Sequence, residues 1–268
     1  MELNYQQFGK GKPLIILHGL FGMSDNWISL ARKLSEKYSV YVLDQRNHGR
    51  SGHHRVFNYA AMVEDLLEFI ENHQLPPVYL LGHSMGGKTA MQFSFDYPDK
   101  VSKLIVADMS PDAYNHKHYK LIEAMLEIDL ERYNSRAQIQ QALSTKIPDI
   151  RIRQFLMKNL YWKDRSSLGW KANLSVINEN LPEIFKALNN PVPFEKPALF
   201  LKGSLSNYIT EKHIPRIHQL FANAKIKTID GASHWLHAEK PKEFLEFVME
   251  FLQNEPSHDN TIDTHTDD

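Results

Sequence analysis

The sequence contains no cysteine. That excludes disulfides, thiolate nucleophiles, Cys-ligated zinc and iron–sulfur clusters. An excess of either charge is also missing: 31 Lys and Arg stand against 32 Asp and Glu, a formal net charge of −1. Neutralising a nucleic-acid backbone takes a basic surplus, so no nucleic-acid partner is expected. Long apolar runs are absent as well. The first of them, Leu14-Ile15-Ile16-Leu17, falls far short of the roughly 20 residues that cross a bilayer, and no membrane span is expected. Met1 to Gln7 is polar and lacks the basic-then-apolar layout of a signal peptide, so the expectation is a cytoplasmic protein. The chain has no internal repeat and no glycine-rich nucleotide loop. Histidine is plentiful, with 14 copies. Pairs such as His116/His118 nevertheless lack accompanying carboxylates at zinc spacing, so neither a metal nor an organic cofactor is expected.

What is present is enough for a sizeable core: 268 residues, 42% of them hydrophobic, fit one large α/β domain or one domain with an insertion. Short apolar runs rich in Leu and β-branched residues read as strands at Leu14–Leu17, Val40–Leu43, Val78–Leu81, Leu104–Ala107, Ala198–Leu201 and Ile226–Ile229. Near-continuous apolar runs of that length suit parallel strands covered on both faces. Helical stripes lie between them, such as Tyr59, Met62, Val63, Leu66, Leu67 and Ile70, or Phe244, Leu245, Val248, Phe251 and Leu252. The alternation predicts a mostly parallel, doubly wound sheet with ligands at the carboxyl ends of its strands. Met1 to Gly9 adds a short antiparallel edge.

From Ser110 to Lys196 no strand is convincing. Helical stretches at Tyr119–Leu130, Ser135–Leu143, Ile150–Leu160 and Leu174–Leu188 are too regular for a structureless loop, so the segment reads as an inserted helical cap. The resulting division is a core of residues 1–110 and 194–253, a cap of residues 111–193, and an acidic tail, residues 254–268, expected to be disordered.

The chemistry concentrates at strand ends. Gly82-His83-Ser84-Met85-Gly86-Gly87 follows the third strong strand and opens a helix. A serine on so tight an elbow needs small residues two positions to either side, which Gly82 and Gly86 provide, and the helix N-terminus directs its free N–H groups at the site. His18-Gly19-Leu20-Phe21-Gly22 follows the first strand. Acyl transfer needs two donors aimed at a developing oxyanion, and on this architecture the backbone N–H groups of Leu20 and Met85 are the candidates. His18 itself reads as a structural hydrogen-bonding residue. The general base should be a histidine on a late loop at the same sheet edge. Asp230-Gly231-Ala232-Ser233-His234 follows the last strand and places His234 there, whereas His83, next to the nucleophile, should point away from it.

Taken together, Gly82–Gly87, His18–Gly22, Asp44-Gln45-Arg46-Asn47-His48-Gly49-Arg50-Ser51 and Gly231–His237 resemble the α/β-hydrolase superfamily. The elbow, the Arg46–Gly49 loop and His234-Trp235-Leu236-His237-Ala238-Glu239-Lys240-Pro241 most resemble its YbfF-type esterases. The likeness runs from Leu14 to Phe251 and is weakest in the cap. It implies an α/β-hydrolase fold with a helical cap inserted after the sixth strand. It also implies a carboxylesterase or thioesterase acting on small to medium acyl esters, extending to acyl-CoA; the expected assembly is a monomer or homodimer.

The acid must lie between Ser84 and His234 at a strand end. The loop after Ala198–Leu201, the usual place, reads Gly203-Ser204-Leu205-Ser206-Asn207-Tyr208 and holds no carboxylate. The preceding strand, Leu104–Ala107, runs directly into Asp108, the preferred candidate, while Asp112, Asp230 and Glu211 remain competitors. The resemblance implies the same relocated acid, with Ser206 as an extra serine hydrogen-bonded within the triad. Phe21, Tyr119, Phe155, Trp162, Trp170 and Trp235 are candidate walls of an acyl pocket. A serine nucleophile argues against dehalogenase and epoxide-hydrolase chemistry, which form the ester on an aspartate. Lactonases, carbon–carbon bond hydrolases, perhydrolases and a non-catalytic receptor on the same fold stay open.

Overall fold

The computed structural model describes residues 1–114, 117–165 and 167–254. The expected tail from residue 255 onward and the His116/His118 geometry lie outside the described residues. Among the described residues, seven strands form one sheet in the order β1-β3-β2-β4-β5-β8-β9. They are β1 (Tyr5–Phe8), β2 (Pro13–Leu17), β3 (Ser39–Leu43), β4 (Val78–His83), β5 (Val101–Ala107), β8 (Ala198–Gly203) and β9 (Ala224–Ile229). All six strand expectations fall inside these spans. Every pairing is parallel except β1 with β3, where Tyr5 lies opposite Leu43, so the N-terminal segment is the antiparallel edge.

The apolar runs are continuous because successive side chains enter two different cores. Ile15 and Leu17 of β2 face one core together with Leu80 of β4 and Val106 of β5, under α2 (Tyr59–Asn72) and α3 (Met85–Asp96). Leu14 and Ile16 face the other with Leu81 and Ile105. That second core is covered by α1 (Ile28–Leu34) and by the C-terminal helix Pro241–Gln253, whose Phe244, Val248 and Leu252 are buried. The Asn58 side chain caps α2 by accepting the Ala61 N–H at 2.9 Å.

Between β5 and β8 the chain forms α4 (Lys117–Leu126), α5 (Arg136–Ser144), α6 (Ile150–Met157) and α7 (Leu174–Phe185), close to the helical stretches read from the sequence. Two features of this cap differ from expectation. It contains an antiparallel hairpin, β6 (Leu160–Trp162) with β7 (Leu168–Trp170), whose three-residue strands are too short to show a period. It also leaves from the fifth strand in chain order and not the sixth, because a single edge strand precedes β2 among the described residues. The cap's two ends run side by side: Leu188 donates its N–H to Pro111 O at 2.7 Å and Tyr114 to Phe185 O at 3.2 Å. The remaining helices are α8 (Ile214–Leu220), α9 (Leu236–Glu239) and α10, the C-terminal helix. No helix among the described residues is long and apolar enough to cross a membrane.

Candidate active site

Ser84 sits between β4 and α3 with φ 54° and ψ −118°, a left-handed backbone that a non-glycine residue adopts only under constraint. The constraint is visible on both sides. A Cβ on Gly82 would overlap the Gly86 carbonyl, and one on Gly86 would overlap the Leu17 and His18 carbonyls at the end of β2. Backbone atoms cannot retreat as a side chain can, so Gly86→Ala is expected to cost about 3 kcal/mol or more of stability. Urea unfolding of the variant against the parent chain checks this; a shift below about 1 kcal/mol would mean that the elbow can relax.

The late loop brings in His234, the candidate base. His234 Nε2 lies 3.0 Å from Ser84 Oγ, and its Nδ1 lies 2.8 Å from Asp108 Oδ2. Asp108 directly follows β5 with φ 51°, fully buried, and its N–H continues the sheet by donating to Leu201 O at 2.7 Å. Its carboxylate is held from the β8 side: Gly203 N–H donates to Oδ1 at 3.2 Å, and Ser206 Oγ donates to Oδ2. The competing acids lie elsewhere. Asp230 and Glu211 are exposed, Glu211 pairs with Lys202, and Asp112 presents its main-chain carbonyl to Lys88.

Leu20 lies in a turn closed by Gly22 N–H to Gly19 O at 2.9 Å, with Phe21 at φ 61°. Met85 is the first residue of α3, where a backbone N–H has no acceptor within its own helix. His18 is structural, as expected: Nδ1–H donates to Gly19 O at 2.8 Å and Nε2 accepts the Gln45 N–H at 3.0 Å. Asp44 orders its own turn by accepting the Ser24 and Arg50 N–H groups at 2.6 and 2.9 Å.

A cavity of about 310 Å³ opens beside Ser84 and His234. Phe21, Phe155 and Trp235 line it; Tyr119, Trp162 and Trp170 do not. Tyr119 meets the Phe185 ring edge-on, Trp162 stands half-exposed on the hairpin, and Trp170 packs partly buried against the hydrophobic core. The side of the cavity that the sequence did not reveal is polar, carrying Arg151, Gln154 and Lys158 from the α6 segment.

Three further residues were not anticipated. Tyr208 stacks on the His234 ring with centroids 3.9 Å apart and planes at 20°. His83 does not point away: its Nε2 lies 2.9 Å from His234 O, where it holds the His234 loop, and it lines the cavity. His237 stacks on Trp27 and lies 4.5 Å from His83, ring to ring. Burial, then the neighbouring imidazoles, push His83 well below the ordinary range, and burial with His234 and Lys158 lowers His237 to about 3. Both neighbours are therefore neutral near pH 7 and do not repel an imidazolium at His234.

Lys88, one turn past Ser84, is fully buried. Its Nζ donates to Asp112 O at 2.8 Å and to Lys186 O, one carbonyl from each end of the cap, and lies 4.8 Å from the Tyr114 ring centroid. Burial lowers its pKa from 10.5 to about 7, against the raising effect of Asp112. A neutral amine has two N–H donors, one for each carbonyl. Between pH 7 and 10.5 the unfolded chain binds a proton that the folded chain has released, so this contribution to stability rises with pH over that window. Relative to Lys88→Met, the parent chain should gain at most about 1.4 kcal/mol per pH unit above pH 7 in urea unfolding. A difference that stays flat from pH 6.5 to 9 would contradict this.

A model of the alpha/beta hydrolase fold matches residues 12–241. The chain is 37% identical to the sn-1-specific diacylglycerol lipase ABHD11 of Xenopus tropicalis, over 95% of this chain and 83% of that protein. It is 31% identical to esterase YbfF of Escherichia coli (strain K12), over 90% of this chain and 93% of that one. Among solved structures, a marine microorganism esterase superposes with a TM-score of 0.92 at 47% identity, over 93% of this chain and 99% of that chain.

Proposed function

The chain belongs to the α/β-hydrolase superfamily and is a serine hydrolase of the esterase–lipase type, related to the YbfF and ABHD11 proteins, and on that premise we propose that Ser84, His234 and Asp108 hydrolyse small to medium acyl esters and thioesters through an acyl-enzyme. The observation that carries the proposal is the hydrogen-bonded series Ser84–His234–Asp108 opening on a cavity.

As Ser84 Oγ attacks the acyl carbonyl, His234 Nε2 takes its proton, and Asp108 holds the ring tautomer and stabilises the imidazolium. The Leu20 and Met85 amides receive the oxyanion, each such donor typically contributing about 10²–10³ in rate. The tetrahedral intermediate collapses with its C–O or C–S bond breaking, and His234 returns the proton to the leaving alcohol or thiol. Water, deprotonated by the same imidazole, then attacks the acyl-enzyme and frees the acid and Ser84. Acyl and proton transfer among these groups complete the cycle without a metal or organic cofactor. Phe21, Phe155 and Trp235 supply apolar wall for the acyl group, and a thioester, acyl-CoA included, requires no additional group at the reacting carbon.

A fluorophosphonate probe followed by peptide mapping tests this. The expected result is labelling of the peptide containing Ser84 and none in Ser84→Ala. A folded parent chain that neither labels nor turns over 4-nitrophenyl butyrate would be a non-catalytic relative on this fold.

A further inference from the structure

The cavity beside Ser84 ends in a polar corner. Arg151, Gln154, Phe155 and Lys158 all line it, and their spacing of three, four and seven residues places them on one helix face. The next residue, Asn159, donates Nδ2 to Phe21 O at 2.7 Å, which ties the end of this helix to the loop carrying Asn26. From the opposite side His237 stacks on Trp27, with centroids 4.2 Å apart and planes at 4°, and the Lys158 charge is among those that act on its imidazole. Asn26, His237 and Lys158 all line the cavity, and these contacts draw their segments together.

Two of their polar atoms lack a partner. Asn26 Oδ1 accepts the Met23 N–H at 2.8 Å, which fixes the amide, and Nδ2 is then buried with no hydrogen-bond partner. His237 Nδ1 is buried and unpartnered as well. The other charges at this end are balanced. Arg151 bonds Asp149 at 2.9 Å and Glu239 at 3.3 Å, and Glu239 also accepts from Ser233 N–H and Oγ–H at 2.6 and 2.8 Å. Lys158 has no ion pair among the described residues. Lys158 is exposed and unpaired, and its ammonium on the cavity wall, together with the orphaned Asn26 amide donor, matches an oxygen anion better than a neutral apolar group.

We propose that this corner binds an anionic oxygen group of the substrate, a carboxylate or phosphate, with Lys158 supplying the charge and Asn26 Nδ2 a hydrogen bond. The proposal rests on the esterase reading and names the substrate class of that site. The anion can belong to the acyl group or to the leaving group, and the experiment separates the two.

Four esters serve. On the acyl side, mono-4-nitrophenyl glutarate is compared with 4-nitrophenyl butyrate; on the leaving-group side, 4-carboxyphenyl butyrate is compared with phenyl butyrate. The quantity read is the ratio of kcat/KM for the anionic ester to that for its neutral counterpart, taken within each variant. Lys158→Glu should lower this ratio at least about tenfold in one arm, and Lys158→Met and Asn26→Ala by a few-fold in the same arm. The arm that responds identifies which side carries the anion. Ratios within twofold of the parent chain in both arms overturn the proposal while leaving the esterase reading intact. If the parent chain hydrolyses none of the four, the esterase reading fails, and calorimetric binding of glutarate and of 4-hydroxybenzoate decides. Weakening of either by at least about fivefold in Lys158→Glu supports the anion site; equal affinity, or no binding to the parent chain, overturns it.

Discussion

Ser84→Ala lowers kcat for 4-nitrophenyl butyrate by about 10⁵–10⁶ in a chain that stays folded, the scale seen when a member of such a triad is removed. The fold survives because the elbow is held by main-chain bonds that alanine keeps. Ser84 N–H donates to Ala107 O at 3.1 Å, and Lys88 N–H donates to Ser84 O at 3.0 Å. Only Oγ is lost, and with it the covalent route. What remains is attack by water beside an intact oxyanion site. Because the serine and the imidazole act as one unit, Ser84→Ala/His234→Ala should be hardly slower than either single variant. Activity above a tenth of the parent chain in Ser84→Ala would place the nucleophile elsewhere, and additive losses in the double variant would mean that the two side chains act independently.

The parts of this site that were legible in the sequence are those fixed by local chain geometry. The elbow was readable because a strand, two glycines and a helix start fall within a few residues of Ser84. Asp108 was readable because β5 runs into it with no intervening loop, at the same sheet edge as the β9 loop that delivers His234. The role of Lys88 was not legible, since both of its acceptors are main-chain carbonyls, 24 and 98 residues away. A charged residue one turn beyond the nucleophile on a helix otherwise buried was the only available sign. Of the expected cavity walls, Tyr119, Trp162 and Trp170 miss the cavity for a related reason. The cap is rich in aromatic residues, and residue type does not say whether a ring faces the cap's own core, as Tyr119 does, or the reacting serine, as Phe155 does. Neither Trp162 nor Trp170, both on the short hairpin, lines the cavity, and a three-residue strand leaves no pattern by which to foresee it.

Asp108→Asn should lower kcat by about 10⁴, the cost of presenting the wrong imidazole tautomer. The surroundings dictate how the amide sits. Gly203 N–H points at Oδ1 and requires an acceptor there, so the amide nitrogen takes the position of Oδ2. That position faces both Ser206 and His234 Nδ1. An amide N–H donating to Nδ1 forces the ring proton onto Nε2, which can then no longer accept from Ser84. Ser206→Ala makes a smaller change: it removes one of three donors to the carboxylate and leaves the tautomer unaltered, for a loss of about tenfold. Asp230→Asn, on an exposed residue of the His234 loop, should stay within about twofold, as surface substitutions do. The order of these three effects separates the candidates for the acid more sharply than any single one. A large loss at Asp230 with little at Asp108 would move the acid to the later loop. It would also leave the left-handed backbone at Asp108, a strain of about 1–3 kcal/mol at a buried carboxylate, with no catalytic purpose to account for it.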